Sequence, residues 1–101
     1  MRVFVFFDLP TNTKKERKAA SQFRNRLIKE GFMMLQYSIY IRVCKGQDMV
    51  SKTVTRVKER LPKSGNIRIL QVTEKQYLRM ETLLGIEKKE EKLGNRQLLL
   101  F

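Results

Sequence analysis

The side chain with the clearest chemical prospects is Asp8, which ends the run Arg-Val-Phe-Val-Phe-Phe-Asp-Leu-Pro of residues 2–10. A carboxylate there is the kind of oxygen ligand that Mg2+ or Mn2+ takes while keeping most of its waters. The bland alternative is an Asx-turn or loop cap ahead of Pro10. One carboxylate is a sparse metal site. The only other aspartate, Asp48, reads as a helix cap, so a cation at Asp8 needs phosphate oxygens, backbone carbonyls or the Asp8 of a two-fold mate. The chain has no histidine, which removes imidazole bases, Ser-His-Asp and Cys-His arrangements and every histidine metal cluster. Neither a Gly-x-x-x-x-Gly-Lys-Ser/Thr loop nor a Gly-x-Gly-x-x-Gly turn is present, so no ordinary nucleoside triphosphatase or dinucleotide enzyme is indicated. The single Cys44 cannot close an internal disulfide and falls in apolar alternation, as a small core residue does.

The charge balance points to a polyanion. With 22 Lys and Arg against 10 Asp and Glu, the formal charge of the 101 residues is +12, and nucleic acid or an anionic membrane surface is the natural partner. No apolar run approaches the roughly 20 residues that span a bilayer, and the amino terminus reads as a buried strand rather than a signal peptide. The expected location is the cytoplasm, and nucleic acid is the expected partner.

The elements that must position Asp8 follow from the apolar pattern. Val3, Val5 and Phe7 alternate with Phe4 and Phe6, so neither face of the first strand is written for water. Asp8 and Pro10 then mark its carboxyl end, where α/β sheets place chemistry. Thr13 and Glu16 have capping-box spacing. Ala20, Phe23 and Leu27 form the buried stripe of a helix that Gly31 stops. Lys14, Lys15, Lys18, Arg26 and Lys29 fall on its outer face, Arg17 and Arg24 flank the stripe, and the only acids on it are Glu16 and Glu30. From Phe32 to Val43 the period becomes two, giving either one long bent strand or two strands folded near Gln36 to Ser38. Asp48 is the expected cap of a second helix marked by Val50, Val54, Val57 and Leu61 and closed by Pro62. Ile67 to Thr73 returns to strand, and Glu74 to Leu84 could form a short helix.

That order predicts an α+β, ferredoxin-like βαββαβ sandwich over residues 1–84, with both helices on one face of an antiparallel sheet. The other face, carrying Phe4 and Phe6, would then need a cover, and self-association as a homodimer supplies one. An RRM-type use of those rings, stacking on single-stranded RNA, is the competing reading. Its Lys/Arg-Gly-aromatic-Gly/Ala-aromatic element is missing from the sequence. Residues 85–94 read as a charged linker. Residues 95–101, with Leu98, Leu99, Leu100 and Phe101, read as an additional C-terminal strand that pairs with the edge of the dimer mate.

Taken together, several segments resemble one family. They are Val-Phe-Phe-Asp-Leu-Pro at 5–10, the basic Lys15-Glu16-Arg17-Lys18, Gly31-Phe32-Met33-Met34-Leu35-Gln36-Tyr37-Ser38-Ile39-Tyr40, Pro62-Lys63-Ser64-Gly65, and Val72-Thr73-Glu74-Lys75-Gln76. The chain is similar over nearly its whole length to the small CRISPR-associated adaptation protein that partners the CRISPR integrase, and most so to members from systems with a Cas9-type effector. The resemblance implies a ferredoxin-like homodimer that bridges integrase dimers and supports double-stranded protospacer DNA during spacer integration. It also implies, as an alternative, a metal-dependent endoribonuclease or endonuclease with Asp8 as the Mg2+ or Mn2+ ligand. By position, Arg17, Lys18, Arg24 and Arg26 are the expected phosphate contacts, holding the backbone without reading bases.

Overall fold

β1 (Arg2–Asp8) is a central strand because it can bury both of its faces. In the computed structural model, which describes residues 1–85, it pairs antiparallel with β3 (Ile39–Val43) on one side and with β4 (Asn66–Val72) on the other. β2 (Met33–Gln36) adds outside β3, giving the order β2-β3-β1-β4. This is the ferredoxin-like sheet expected from the order of elements.

The odd residues of β1 face the helices. Val3, Val5 and Phe7 pack with Phe23 and Leu27 of α1 (Lys14–Lys29), Val50 and Val57 of α2 (Gln47–Lys58), and Phe32, Tyr40 and Cys44. Full burial of such aliphatic side chains stabilises by about 1.5–3 kcal/mol each, so this layer is the main core. Phe7 meets Phe23 edge-on, with ring centroids 5.3 Å apart.

α1 starts as the spacing requires. Glu16 N donates to Thr13 Oγ1 at 3.0 Å, and Thr13 N donates back to Glu16 Oε1 at 2.9 Å. Its far end turns at Gly31 (φ +91°). An arginine completes that end: Arg42 of β3 donates to the Glu30 carbonyl at 2.7 Å and to buried Thr53 Oγ1 at 2.9 Å. α1 is thereby tied to the sheet and to α2 through one side chain.

Of the two readings of the period-two run from Phe32, the two-strand one holds, because Ser38 adopts φ +66° and turns the chain between β2 and β3. Two expectations are corrected. Asp48 is not the cap of α2. The cap position is Gly46, without a side-chain hydrogen bond, and Asp48 lies in the first turn, where a carboxylate still favours the helix dipole. The segment after β4 forms only one turn, α3 (Glu74–Tyr77), under a capping box between Thr73 and Gln76.

The second face of the sheet is not left to a partner alone. Arg2, Phe4 and Phe6 point to it, and Tyr77 of α3 folds over Phe4, their centroids 6.1 Å apart, leaving Phe4 only 8% exposed. The Arg2 guanidinium lies 3.8 Å from the Tyr77 ring centroid, and its Nε donates to both Glu74 carboxylate oxygens at 2.9 and 3.1 Å. Leu70 and Val43, both about half exposed, remain uncovered among the described residues. Apart from Gly85, the linker of 85–94 and the C-terminal strand with Leu98, Leu99, Leu100 and Phe101 lie outside the described residues.

A carboxylate cleft and two basic helices

Asp8 is exposed at the carboxyl end of β1, opposite Asn66 of β4. Its carboxylate forms no hydrogen bond or ion pair with any described residue, so the Asx-turn alternative is not what holds it. Two contacts fix its backbone. Phe7 N donates to the Ser38 carbonyl at 3.0 Å, docking the β2–β3 turn beside it. On the other side Gly65, at φ +109°, brings the loop after α2 so close that a Cβ there would lie 2.7 Å from the Asp8 carbonyl oxygen.

Around the carboxylate lies an open cleft of about 450 Å3, lined by Phe6, Phe7, Asp8, Tyr37, Ser38, Ile39, Asn66 and Arg68. The Ser38 hydroxyl, the Asn66 amide oxygen and the Asp8 carboxylate are oxygen donors of the type a hard cation accepts. Asp8 alone among them carries charge. Among the described residues no group of three or more His, Cys, Asp or Glu side chains is placed to hold a metal ion. One chain's donors therefore do not fit Mg2+ or Mn2+ by themselves, and a second carboxylate must come from elsewhere.

The nominated cations divide. Lys18 is exposed on α1 with no partner among the described residues. Arg17 is exposed but donates to the Thr11 carbonyl at 3.1 Å, and Arg24 to Ser21 Oγ at 3.1 Å. Both bonds are local and solvent-facing, and leave the charge uncompensated. Arg26 is different. Half-buried, it donates to the Arg56 carbonyl at 2.9 Å and to Glu59 Oε1 at 3.2 Å, linking α1 to the end of α2. These bonds serve packing between the helices. Exposed charge without an ion pair among the described residues also lies on Lys14, Lys15 and Lys29 of α1 and on Lys52 and Lys58 of α2.

What pattern reading missed was the company Asp8 keeps. Tyr37, Asn66 and Arg68 come from two distant segments, and only the register of β4 on β1 and the docked turn bring them to one cleft. The available signal was Tyr37 beside the expected fold point, an aromatic where a turn tip is usually polar.

A family model for the CRISPR associated protein Cas2 matches residues 1–80. The chain belongs to the Cas2 family. Curated relatives agree: a protein of Campylobacter jejuni is 51% identical over 102 residues, covering 100% of this chain and 71% of that one. One from Acidovorax ebreus is 41% identical over 102 residues and is covered completely, as is this chain. A third, from Flavobacterium psychrophilum, is 44% identical over 99 residues, covering 98% of this chain and 86% of its own. Each of the three is named "CRISPR-associated endoribonuclease Cas2". Among solved structures, Streptococcus pyogenes Cas2 at pH 6.5 superposes with a TM-score of 0.62 at 23% identity, over 82% of this chain and 99% of that one. At that identity the likeness speaks for the fold. In this Cas2-family chain no helix among the described residues is long and apolar enough to cross a membrane.

Proposed function

We propose that this chain acts in CRISPR adaptation as a homodimeric scaffold that binds protospacer DNA and bridges integrase dimers while the spacer is inserted. The observation that carries the reading is the excess of uncompensated positive charge on α1 and α2. Among the described residues only three ion pairs form, Arg2–Glu74, Arg26–Glu59 and Arg56–Glu30, against a formal charge of +12. α1, with 16 residues, is about 24 Å long at 1.5 Å per residue, a good part of the roughly 34 Å turn of a duplex. Side chains spread along such a rod suit phosphates at any sequence and release counterions on binding. Insertion chemistry then belongs to the integrase.

A second reading is favoured by the freedom of the Asp8 carboxylate in its cleft and by the endoribonuclease names of the relatives. On it, the chain hydrolyses phosphodiesters with Mg2+ or Mn2+ at Asp8. Since one chain offers a single carboxylate, this reading requires Asp8 of a mate.

One assay separates them: insertion of a protospacer by the cognate integrase with wild-type protein, with Asp8→Ala, or with no added protein, the oligomeric state of each being checked by light scattering. Equal stimulation by wild type and variant is the expected result. A dimeric Asp8→Ala that no longer stimulates, together with metal-dependent cleavage by the wild type alone, would reverse the order of the two readings.

A further inference from the structure

We propose that the groove between α1 and residues 60–64 docks an acidic segment of a partner protein, with one apolar side chain of that segment seated on Leu61 between two basic ends. The groove lies apart from the Asp8 cleft and does not depend on the DNA-binding reading above.

Leu61 is the residue left without a place in the core. Its spacing continues the apolar stripe of Val50, Val54 and Val57, which predicts a buried side chain. α2 instead ends at Lys58, and the chain running on to Pro62 leaves Leu61 52% exposed. Opposite it stands a stripe of α1. Lys15, Ala19, Gln22, Arg26 and Lys29 fall at i, i+4, i+7, i+11 and i+14, one line along the helix. Ala19, Leu61 and Pro62 line both of the hollows that open between these walls, of about 470 and 340 Å3. The hollows are therefore one groove with an apolar centre.

Its ends are cationic. Lys15 and Lys63 line one hollow, Lys29 and Arg60 the other. All four are exposed, and none forms an ion pair with a described residue. The acids beside them are already engaged. Glu16 accepts from Asn12 N and Thr13 N at 3.0 and 2.9 Å, and Glu30 pairs with Arg56 at 3.5 Å. Such a groove rejects basic partners and suits acidic ones, because like charges brought together at an interface are unfavourable.

Spacing and floor select the class of occupant. From Lys15 to Lys29 the helix rises about 21 Å at 1.5 Å per residue, the reach of an extended segment of about six residues at roughly 3.3–3.6 Å each. Carboxylates at the two ends of such a segment meet the two basic ends, while an apolar side chain between them covers Leu61. Duplex DNA could satisfy the lysines, but its backbone offers only sugar and phosphate, so the apolar centre would gain nothing from it. A second copy of this chain, with its formal charge of +12, would bring like charge to both ends.

The test uses the full chain and fluorescence anisotropy with three probes: a peptide with glutamate pairs at either end of a serine-glycine spacer and a leucine at its centre, the same peptide with serine for the leucine, and a blunt DNA duplex. Any polyanion feels the overall charge, so the leucine and Leu61 are the diagnostic groups. Partial burial of one leucine predicts that the leucine peptide binds about fivefold tighter than the serine peptide, and Leu61→Ser should remove that preference. Lys29→Glu combined with Arg60→Glu should weaken the leucine peptide by about tenfold or more. Lys45→Glu combined with Lys75→Glu, which changes the net charge equally at exposed positions outside the groove, should weaken it by no more than about threefold in physiological salt. Equal affinity of wild type for the two peptides overturns the proposal, as does a Leu61→Ser protein that keeps the preference. Equal losses in the two charge variants overturn it by making the attraction non-specific. A duplex that loses as much affinity as the peptide in both Leu61→Ser and the Lys29–Arg60 variant makes the groove a DNA surface, and a changed oligomeric state of Leu61→Ser in light scattering makes it an interface between copies; either result overturns the proposal. The integration assay decides the scaffold reading separately.

Discussion

Gly65→Ala should be among the most damaging single-methyl changes in this protein. Two costs combine at that position. At φ +109° an L side chain is strained, by about 1–3 kcal/mol for such sparsely populated backbone. The new Cβ would also lie 2.7 Å from the Asp8 carbonyl oxygen, 2.8 Å from Leu9 Cδ2 and 3.2 Å from Leu9 Cα. Two of those three atoms are backbone, and Asp8 is held by pairing with Asn66, so relief means opening the last rung between β1 and β4. Overpacking of this kind costs roughly 1–3 kcal/mol. The sum is about 4 kcal/mol, and at ~4–8 °C per kcal/mol for a domain of this size Tm should fall by roughly 16–32 °C. The assay is thermal and urea unfolding followed by circular dichroism at fixed protein concentration, since any association makes Tm depend on concentration. Gly46→Ala is the control: φ there is −177°, and a Cβ would meet nothing within 4 Å. It should cost no more than about 1 kcal/mol as a poorer cap. A Gly65→Ala protein that melts within about 3 °C of wild type, or no lower than Gly46→Ala, would refute the claim that the loop after α2 is seated on Asp8.

Other outcomes follow from the same contacts. Arg2→Met removes the cation from beneath Tyr77 and its bond to half-exposed Glu74. It should destabilise by about 2 kcal/mol, and a double-mutant cycle with Tyr77→Leu in urea should give a coupling near 1 kcal/mol; zero coupling would mean that α3 is held by other contacts. Arg26→Ala should lower stability, because it breaks the link from α1 to the Arg56 carbonyl, yet leave the salt dependence of duplex binding unaltered. Lys18→Ala should do the reverse, reducing that slope by about one contact's worth. Affinity measured across a salt series distinguishes the two, and equal slopes would put Arg26 back among the phosphate contacts.

Much of the architecture could be read from local pattern because it is written in local physics. The capping box at Thr13 and Glu16, the stop at Gly31 and the stripe of Ala20, Phe23 and Leu27 lie within single turns of helix, where spacing alone decides which groups meet. The strands of a two-helix βαββαβ chain have few ways to bury an apolar run such as Val3 to Phe7, so the sheet order also followed. Short-range competition was harder to read. Asp48 and Gly46 both suit a helix start, and backbone geometry chose the glycine. The fold point between β2 and β3 depended on Ser38 accepting a positive φ, which alternation of apolar residues does not encode.

The sequence by itself determined the class of partner and the residue of interest: an excess of twelve positive charges cannot be neutralised internally, and a carboxylate followed by Leu9 and Pro10 must end its strand. Tertiary structure alone decided which cations remain available and what surrounds Asp8. Arg2, Arg26 and Arg42 look like their neighbours in the sequence, yet packing directs one beneath an aromatic ring, one to a helix end and one onto a carbonyl. Tyr37 and Arg68 are distant in the chain and reach the same cleft through strand register and a docked turn. The physical reason is one of range. Charge balance and helix spacing are local or summed properties of a chain, whereas a site is a coincidence of remote segments that exists only when the sheet is assembled.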